Sequence, residues 1–191
     1  MKSRFNRFFR ELRDSLSGRI PAFADILPVF ALIAAMFYGW TMVVFLWKLP
    51  GWLFFLNIGE IAGILAYQFT TNLLESFVIL LLLLISSMIF PPRTFKDVFV
   101  VRGSVAALVL IGSMMLFLNR YVSVGPKFGE YLPVWMLGSL LLAIVLSVVS
   151  THFRILKDSI SWLSDRMIVF LFVLLPLTAL SILYVLIQTF I

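Results

Sequence analysis

Five runs without a charged residue constrain the fold of this chain more than any other feature. Each run is close to the length of one membrane span, because about 20 helical residues cross a hydrocarbon core of roughly 30 Å. Together the runs make up more than half of the sequence. They predict an all-α, polytopic transmembrane helix bundle of about five spans. The runs without Lys, Arg, Asp or Glu are 26–47, 76–92, 103–119, 131–151 and 167–191.

The composition agrees with a membrane protein and excludes several other classes. The chain is 62% hydrophobic and 13% charged, whereas a soluble globular domain is about 45–50% apolar and 25% charged. It is too apolar for an ordinary soluble domain or a disordered chain. It contains no cysteine, which excludes disulfides, thiolate metal ligands and cysteine nucleophiles. We expect one integral membrane domain over residues 1–191.

Turn residues and helical periodicity adjust the ends of the predicted spans. Pro91 and Pro92 end the second helix early, because proline lacks the amide donor that continues a helix. That helix is therefore predicted to begin before Asn72, continuous with an outer-side helix over 50–69. The pattern leaves open whether 52–69 spans the membrane, re-enters it or lies on it. The predicted spans are 26–47, 70–90, 98–118, 132–151 and 167–190.

The distribution of Lys and Arg predicts the orientation of the chain. Twelve of these residues fall in the N-terminal segment or close to the connections after the second and fourth spans, and three fall on the other side: Lys48, Arg120 and Lys127. Basic connections are retained in the cytoplasm. We therefore expect a multi-pass protein of the plasma (inner) membrane, with the N-terminus cytoplasmic and the C-terminus outside. The net charge of +6 then reflects topology and anionic lipid headgroups, and no nucleic-acid partner is predicted.

Two segments on the cytoplasmic side have the pattern of amphipathic helices, one within 1–25 and one within 152–166. Apolar residues repeat there at helical intervals, while charged residues occupy the other faces. Such helices lie at the membrane interface, with Arg side chains at anionic lipid. The alternative is that a partner protein docks on them. The apolar faces comprise Phe5, Phe8, Phe9, Leu12 and Leu16 in the first segment and Phe153, Leu156, Ile160 and Leu163 in the second.

Small residues at helical spacing mark faces where helices can approach closely. Close backbone approach stabilises helix pairs in lipid, where no hydrophobic force acts between them. The sequence does not distinguish packing within one subunit from packing between subunits. The candidate helix-packing residues are Gly103, Ala107 and Gly112 in the third span and Ser139, Ala143 and Ser147 in the fourth.

The second helix carries an unusual number of polar residues, which we call the polar stripe. Their separations are close to whole numbers of 3.6-residue turns, so a continuous helix places them on one face. If several copies surround an axis with this face inward, Glu60 and Glu75 form carboxylate rings that favour cations. The alternative is a stripe in water at the outer headgroups. The candidate pore residues are Asn57, Glu60, Gln68, Thr71, Glu75 and Ser86.

The sequence lacks catalytic and cofactor-binding patterns. His152 is the single histidine, so no set of His and Cys ligands can hold a metal. No nucleophile elbow, phosphate-binding loop or dinucleotide-binding turn occurs. We therefore expect no enzyme activity and no cofactor.

These patterns favour a non-catalytic membrane subunit. It is expected to form a homo-oligomer or to join a membrane complex, with an ion path along the polar stripe as one hypothesis. The alternative is a scaffold or anchor that recruits a partner protein through the two amphipathic segments. A membrane-embedded enzyme or transporter component is the third choice.

Overall fold

The structure is a computed structural model that describes residues 21–89, 98–121 and 128–190. These residues form five α-helices and no strand. Each helix is long and apolar enough to cross a membrane, which confirms the prediction of an all-helical chain with five candidate spans and indicates a multi-pass membrane protein. The helices are α1 (Phe23–Trp52), α2 (Ile58–Ile89), α3 (Phe99–Tyr121), α4 (Phe128–His152) and α5 (Arg154–Phe190).

The connection between α1 and α2, residues 53–57, lies later in the chain than the sequence predicts. Residues 50–52 end α1, which continues through Pro50, because a proline in the last turn removes only one backbone bond. In the tight turn that follows, the amide of Leu56 donates to the carbonyl of Trp52 (2.8 Å). The predicted outer-side helix over 50–69 therefore begins at Ile58, and it is one helix with the second span.

The second predicted amphipathic segment, 152–166, is not a separate helix. α5 begins at Arg154, immediately after Phe153, and continues to Phe190. No glycine or proline interrupts its sequence before Pro176, so the backbone hydrogen bonds run on through the charged residues. The segment is therefore the first part of α5. Of the N-terminal segment, residues 1–20 lie outside the described residues.

This first part of α5 lies beside the start of α3, where Lys157 and Ser161 line a cavity together with residues 98–101. Arg102 of α3 donates to Thr151 near the end of α4 (Nη2 to Oγ1, 3.3 Å). Two residues later on α3, Ser104 shares a hydrogen bond with Ser164 of α5 (2.7 Å). The end of α4 and the first part of α5 therefore both contact the first turns of α3.

The bundle is organised around α1, which contacts α2, α3 and α5, while α4 packs mainly on α3. α1 and α2 are antiparallel, since Phe30 stacks on Phe77 and Tyr38 packs on Phe69, with 5.0 Å between ring centroids in each pair. We name the two ends of the bundle by one residue each. The Arg102 end is where α1, α3 and α5 begin, and the Tyr184 end is where α2 and α4 begin.

Candidate functional site

Asn57 and Glu60, the first two residues of the polar stripe, form a reciprocal cap at the start of α2. The amide of Asn57 donates to Oε2 of Glu60 (2.8 Å), and the amide of Glu60 donates to Oδ1 of Asn57 (2.9 Å). This is a capping box, which satisfies backbone donors that have no partner within the helix. Both residues are exposed. Their contacts explain the start of the helix without a pore.

The other four stripe residues lie along α2 and differ in environment. The hydroxyls of Thr71 and Ser86 donate to carbonyls one turn earlier, those of Tyr67 (2.9 Å) and Leu82 (2.8 Å). The side-chain oxygen of Gln68 is buried and accepts no hydrogen bond from the described residues. Glu75 is exposed, and within the described part of the chain its carboxylate makes no hydrogen bond or ion pair.

The polar stripe runs beside the packed face of α2. Phe69, Asn72 and Ser76 are buried, and each follows a stripe residue by one position. One residue corresponds to about 100° around a helix. Thr71 and Glu75 therefore lie on the flank of α2, on the outer surface of a single chain.

A buried polar network joins α1, α2 and α5 near the middle of the bundle. The Tyr38 hydroxyl donates to the carbonyl of Phe69 (3.1 Å) and shares a hydrogen bond with the Thr178 hydroxyl (2.6 Å). Next to it, Thr41 and Asn72 exchange hydrogen bonds between their side chains (3.1 and 2.9 Å). No sequence pattern predicts this network. Its only signal is that each helix places isolated polar residues within a long apolar run.

The candidate helix-packing residues of α3 face α1. Gly103 is so close to α1 that a β-carbon built on it would lie 3.3 Å from a methyl carbon of Val29. A β-carbon on Gly112 would lie 4.0 Å from Met36, and Ala107 is completely buried.

The candidate packing residues of α4 face α3, except near the Tyr184 end. Ala143 and Ser147 are buried, and the Ser147 hydroxyl donates to the carbonyl of Arg102 (3.3 Å). Ser139 is only half-buried and donates to Met136 of its own helix (2.9 Å). These contacts lie within one chain.

A groove with a volume of about 340 Å³ separates α2 from α4, with α3 as its floor. We call it the lateral groove. Ser86 is the stripe residue that lines it. Arg102 lines the groove at the end of the bundle where α3 begins. Most of the remaining lining is apolar. The lining residues are Leu83 and Ser86 of α2, Arg102, Ala106 and Leu110 of α3, and Leu140, Ala143, Ile144, Ser147 and Val148 of α4.

His152 lies at the end of α4, where its Nδ1 is 2.9 Å from the carbonyl of Val148. Among the described residues, no group of three or more His, Cys, Asp or Glu side chains is arranged to hold a metal ion.

Comparisons with known protein families, with curated proteins and with solved structures give no match for this chain.

Proposed function

We propose that this protein is a non-catalytic membrane subunit that assembles with other copies of itself through the flank of α2 that carries Thr71 and Glu75. The observation that carries the proposal is the position of Glu75. Its carboxylate stands exposed on a long apolar helix, without a hydrogen bond or ion pair to the described residues.

The depth of Glu75 makes this position costly in a single chain. At 1.5 Å per residue, it lies roughly 22 Å from Glu60 and about 16 Å from Ser86, so it is far from both ends of α2. Its neighbours Leu74 and Phe77 are 62% and 50% exposed, which suits lipid. An acidic side chain at the centre of a membrane helix costs about 2.5–3.5 kcal/mol on insertion scales. Contact with a polar partner or with water offsets that cost.

A second copy offers such an environment. When the same flank of α2 meets itself around an axis, Thr71 and Glu75 of each copy face a shared polar space. A ring of carboxylates in that space attracts cations, while the exposed Leu and Phe side chains on either side pack between copies. The proposed assembly is therefore a homo-oligomer with an ion path along the polar stripe.

The proposed location is the plasma membrane, with the Arg102 end in the cytoplasm. Twelve of the fifteen Lys and Arg residues belong to that side of the chain, which fits the retention of basic connections inside. The first part of α5 lies on the same side. Its exposed Ile155 and Trp162, next to Lys157 and Arg166, suit an interfacial position against anionic lipid.

Reconstitution of the purified protein into planar bilayers tests the ion path. We expect a cation-selective current, and we expect Glu75→Gln to reduce its cation selectivity several-fold because the ring loses its charge while keeping its size. Glu130→Gln is the matched control, because Glu130 is an exposed carboxylate in the first turn of α4 and should leave the current unchanged. Absence of current at every voltage, for wild type and variants alike, contradicts the ion path.

A scaffold or anchor is the second candidate, favoured by one observation. The first part of α5 is exposed over most of its length, with Ile155 82% and Trp162 60% exposed. A partner protein could cover this surface in place of lipid. A particle without current whose native mass equals one chain favours this candidate, whereas a multimer held together by the flank of α2 favours the first.

A further inference from the structure

We infer that the lateral groove binds one anionic phospholipid, with its phosphate at Arg102 and one acyl chain along the apolar walls of α2 and α4. This inference does not rest on the proposed assembly, because the flank of α2 that carries Thr71 and Glu75 is outside the lining of the groove. Three properties of the groove support it: the charge at one end, the length, and the walls that open toward lipid.

The charge of the groove is positive and located at one end. Among the described residues of its lining, Arg102 is the charged one and none is acidic. The hydrogen bond from Arg102 to Thr151 holds the guanidinium at the end where Ser86 and Ser147 add hydroxyl groups. The planar fork of a guanidinium matches the geometry of a phosphate. The groove therefore has an anion-binding end and an apolar remainder.

The length of the groove matches one leaflet of a bilayer. From Arg102 to Leu110 the lining extends about 12 Å along α3, at 1.5 Å per residue. One leaflet contributes half of a hydrocarbon core of roughly 30 Å, which is about 15 Å. A phosphate at Arg102 therefore lies at headgroup depth while the acyl chain follows the wall toward Leu110 and Leu140.

The walls of the groove are buried on the inside and open toward lipid on the outside. Leu83 and Ala143, on the inner side of its two walls, are buried, while Leu140 and Ile144 at its rim are 48% and 53% exposed. The groove thus opens sideways toward lipid, from which a chain can enter.

Native mass spectrometry of the full chain in detergent tests the site with two added lipids, phosphatidylglycerol and phosphatidylcholine. We expect wild type to retain one phosphatidylglycerol about fivefold more than phosphatidylcholine, which corresponds to roughly 1 kcal/mol for one basic side chain at the headgroup. Arg102→Gln should abolish this preference. Arg120→Gln is the matched control on the same helix, because Arg120 is exposed at the other end of α3 and should leave the preference intact.

A second pair of variants tests the acyl chain independently of the charge. Ala106→Phe fills the groove from its floor, whereas Ala179→Phe makes the same change on the exposed surface of α5. We expect only the first to reduce the retained phosphatidylglycerol. Equal retention of both lipids by wild type overturns the inference. Unchanged binding in Ala106→Phe also overturns it, as does a lipid-free dimer that Arg102→Gln dissociates, because the groove is then a protein interface.

Discussion

The Tyr38 hydroxyl joins three helices at one point. It is 3% exposed, and it bonds to the Phe69 carbonyl of α2 and the Thr178 hydroxyl of α5. The Thr178 hydroxyl also lies 2.7 Å from the carbonyl of Leu174 one turn earlier, to which it can donate in place of Tyr38. Loss of the tyrosine hydroxyl therefore leaves Thr178 with a partner. The free-energy cost of losing the Tyr38 hydroxyl is then limited to the hydrogen bonds between helices.

We predict that Tyr38→Phe destabilises the bundle by about 1 kcal/mol, within the range measured for hydrogen bonds between membrane helices. For a chain of this size, that corresponds to a melting temperature lower by roughly 2–4 °C. Tyr67→Phe is the matched control, because Tyr67 is 49% exposed on α2. This variant should melt like wild type. A thermal melt in detergent measures both, and equal melting temperatures for the two variants would refute the role assigned to Tyr38.

The individual polar residues illustrate what a sequence pattern can and cannot predict at this scale. The spacing of Asn57, Glu60, Thr71 and Glu75 correctly indicates one helix, because spacing depends only on the repeat of the backbone. It cannot indicate which flank faces a neighbour. Asn72 is one position away from Thr71, yet it is buried against Thr41, and only the packing of α1 on α2 determines that.

At the scale of the helices, the backbone of α3 at Gly103 packs directly against Val29 of α1. A β-carbon on this residue would lie 3.3 and 3.5 Å from the two methyl carbons of Val29. Val29 is completely buried, so it has little room to move. A side chain at Gly103 would therefore have to displace Val29 or separate the two helices.

We predict that Gly103→Leu destabilises the fold by about 1–3 kcal/mol, the usual cost of adding volume to a packed core. Gly39→Leu is the matched control, because a β-carbon on Gly39 would meet no atom within 4 Å. It should be neutral or stabilising by up to about 1 kcal/mol, since glycine is a poor helix former. Loss of monodisperse protein and a lower melting temperature for Gly103→Leu alone are the expected results, while equal stability of the two variants contradicts this account of the interface.

The ends of the helices show why charge-free runs locate spans better than they delimit them. The third predicted span, 98–118, differs from α3 by a few residues, because charged residues lie close to both of its ends. The fifth, 167–190, misses the first part of α5 from Arg154 onward. Charge limits how far a segment enters hydrocarbon, but it does not end a helix, since the backbone hydrogen bonds continue outside the membrane.

At the scale of the whole molecule, the odd number of candidate spans places the start of α1 and the end of α5 at opposite ends of the bundle. The sequence predicts the direction of the chain from the bias of its basic residues, whereas the bundle alone has no preferred direction. The lipid that the lateral groove can bind depends on that direction. Only when the Arg102 end is cytoplasmic does Arg102 meet the leaflet that carries most of the anionic lipid.

We predict that a reporter fused after Ile191 is active only outside the cell, and that a reporter fused after Lys157 is active only in the cytoplasm. The reason is the excess of Lys and Arg at the Arg102 end, which holds that end inside during insertion. Two reporters, one active only outside the cell and one active only in the cytoplasm, show on which side of the membrane each fusion point lies. A reporter expressed in the cytoplasm serves as the reference. Cytoplasmic activity after Ile191 would mean an even number of crossings or a reversed bundle. In the reversed case Arg102 would face the outer leaflet, so the same result would also remove the lipid that the groove is inferred to bind.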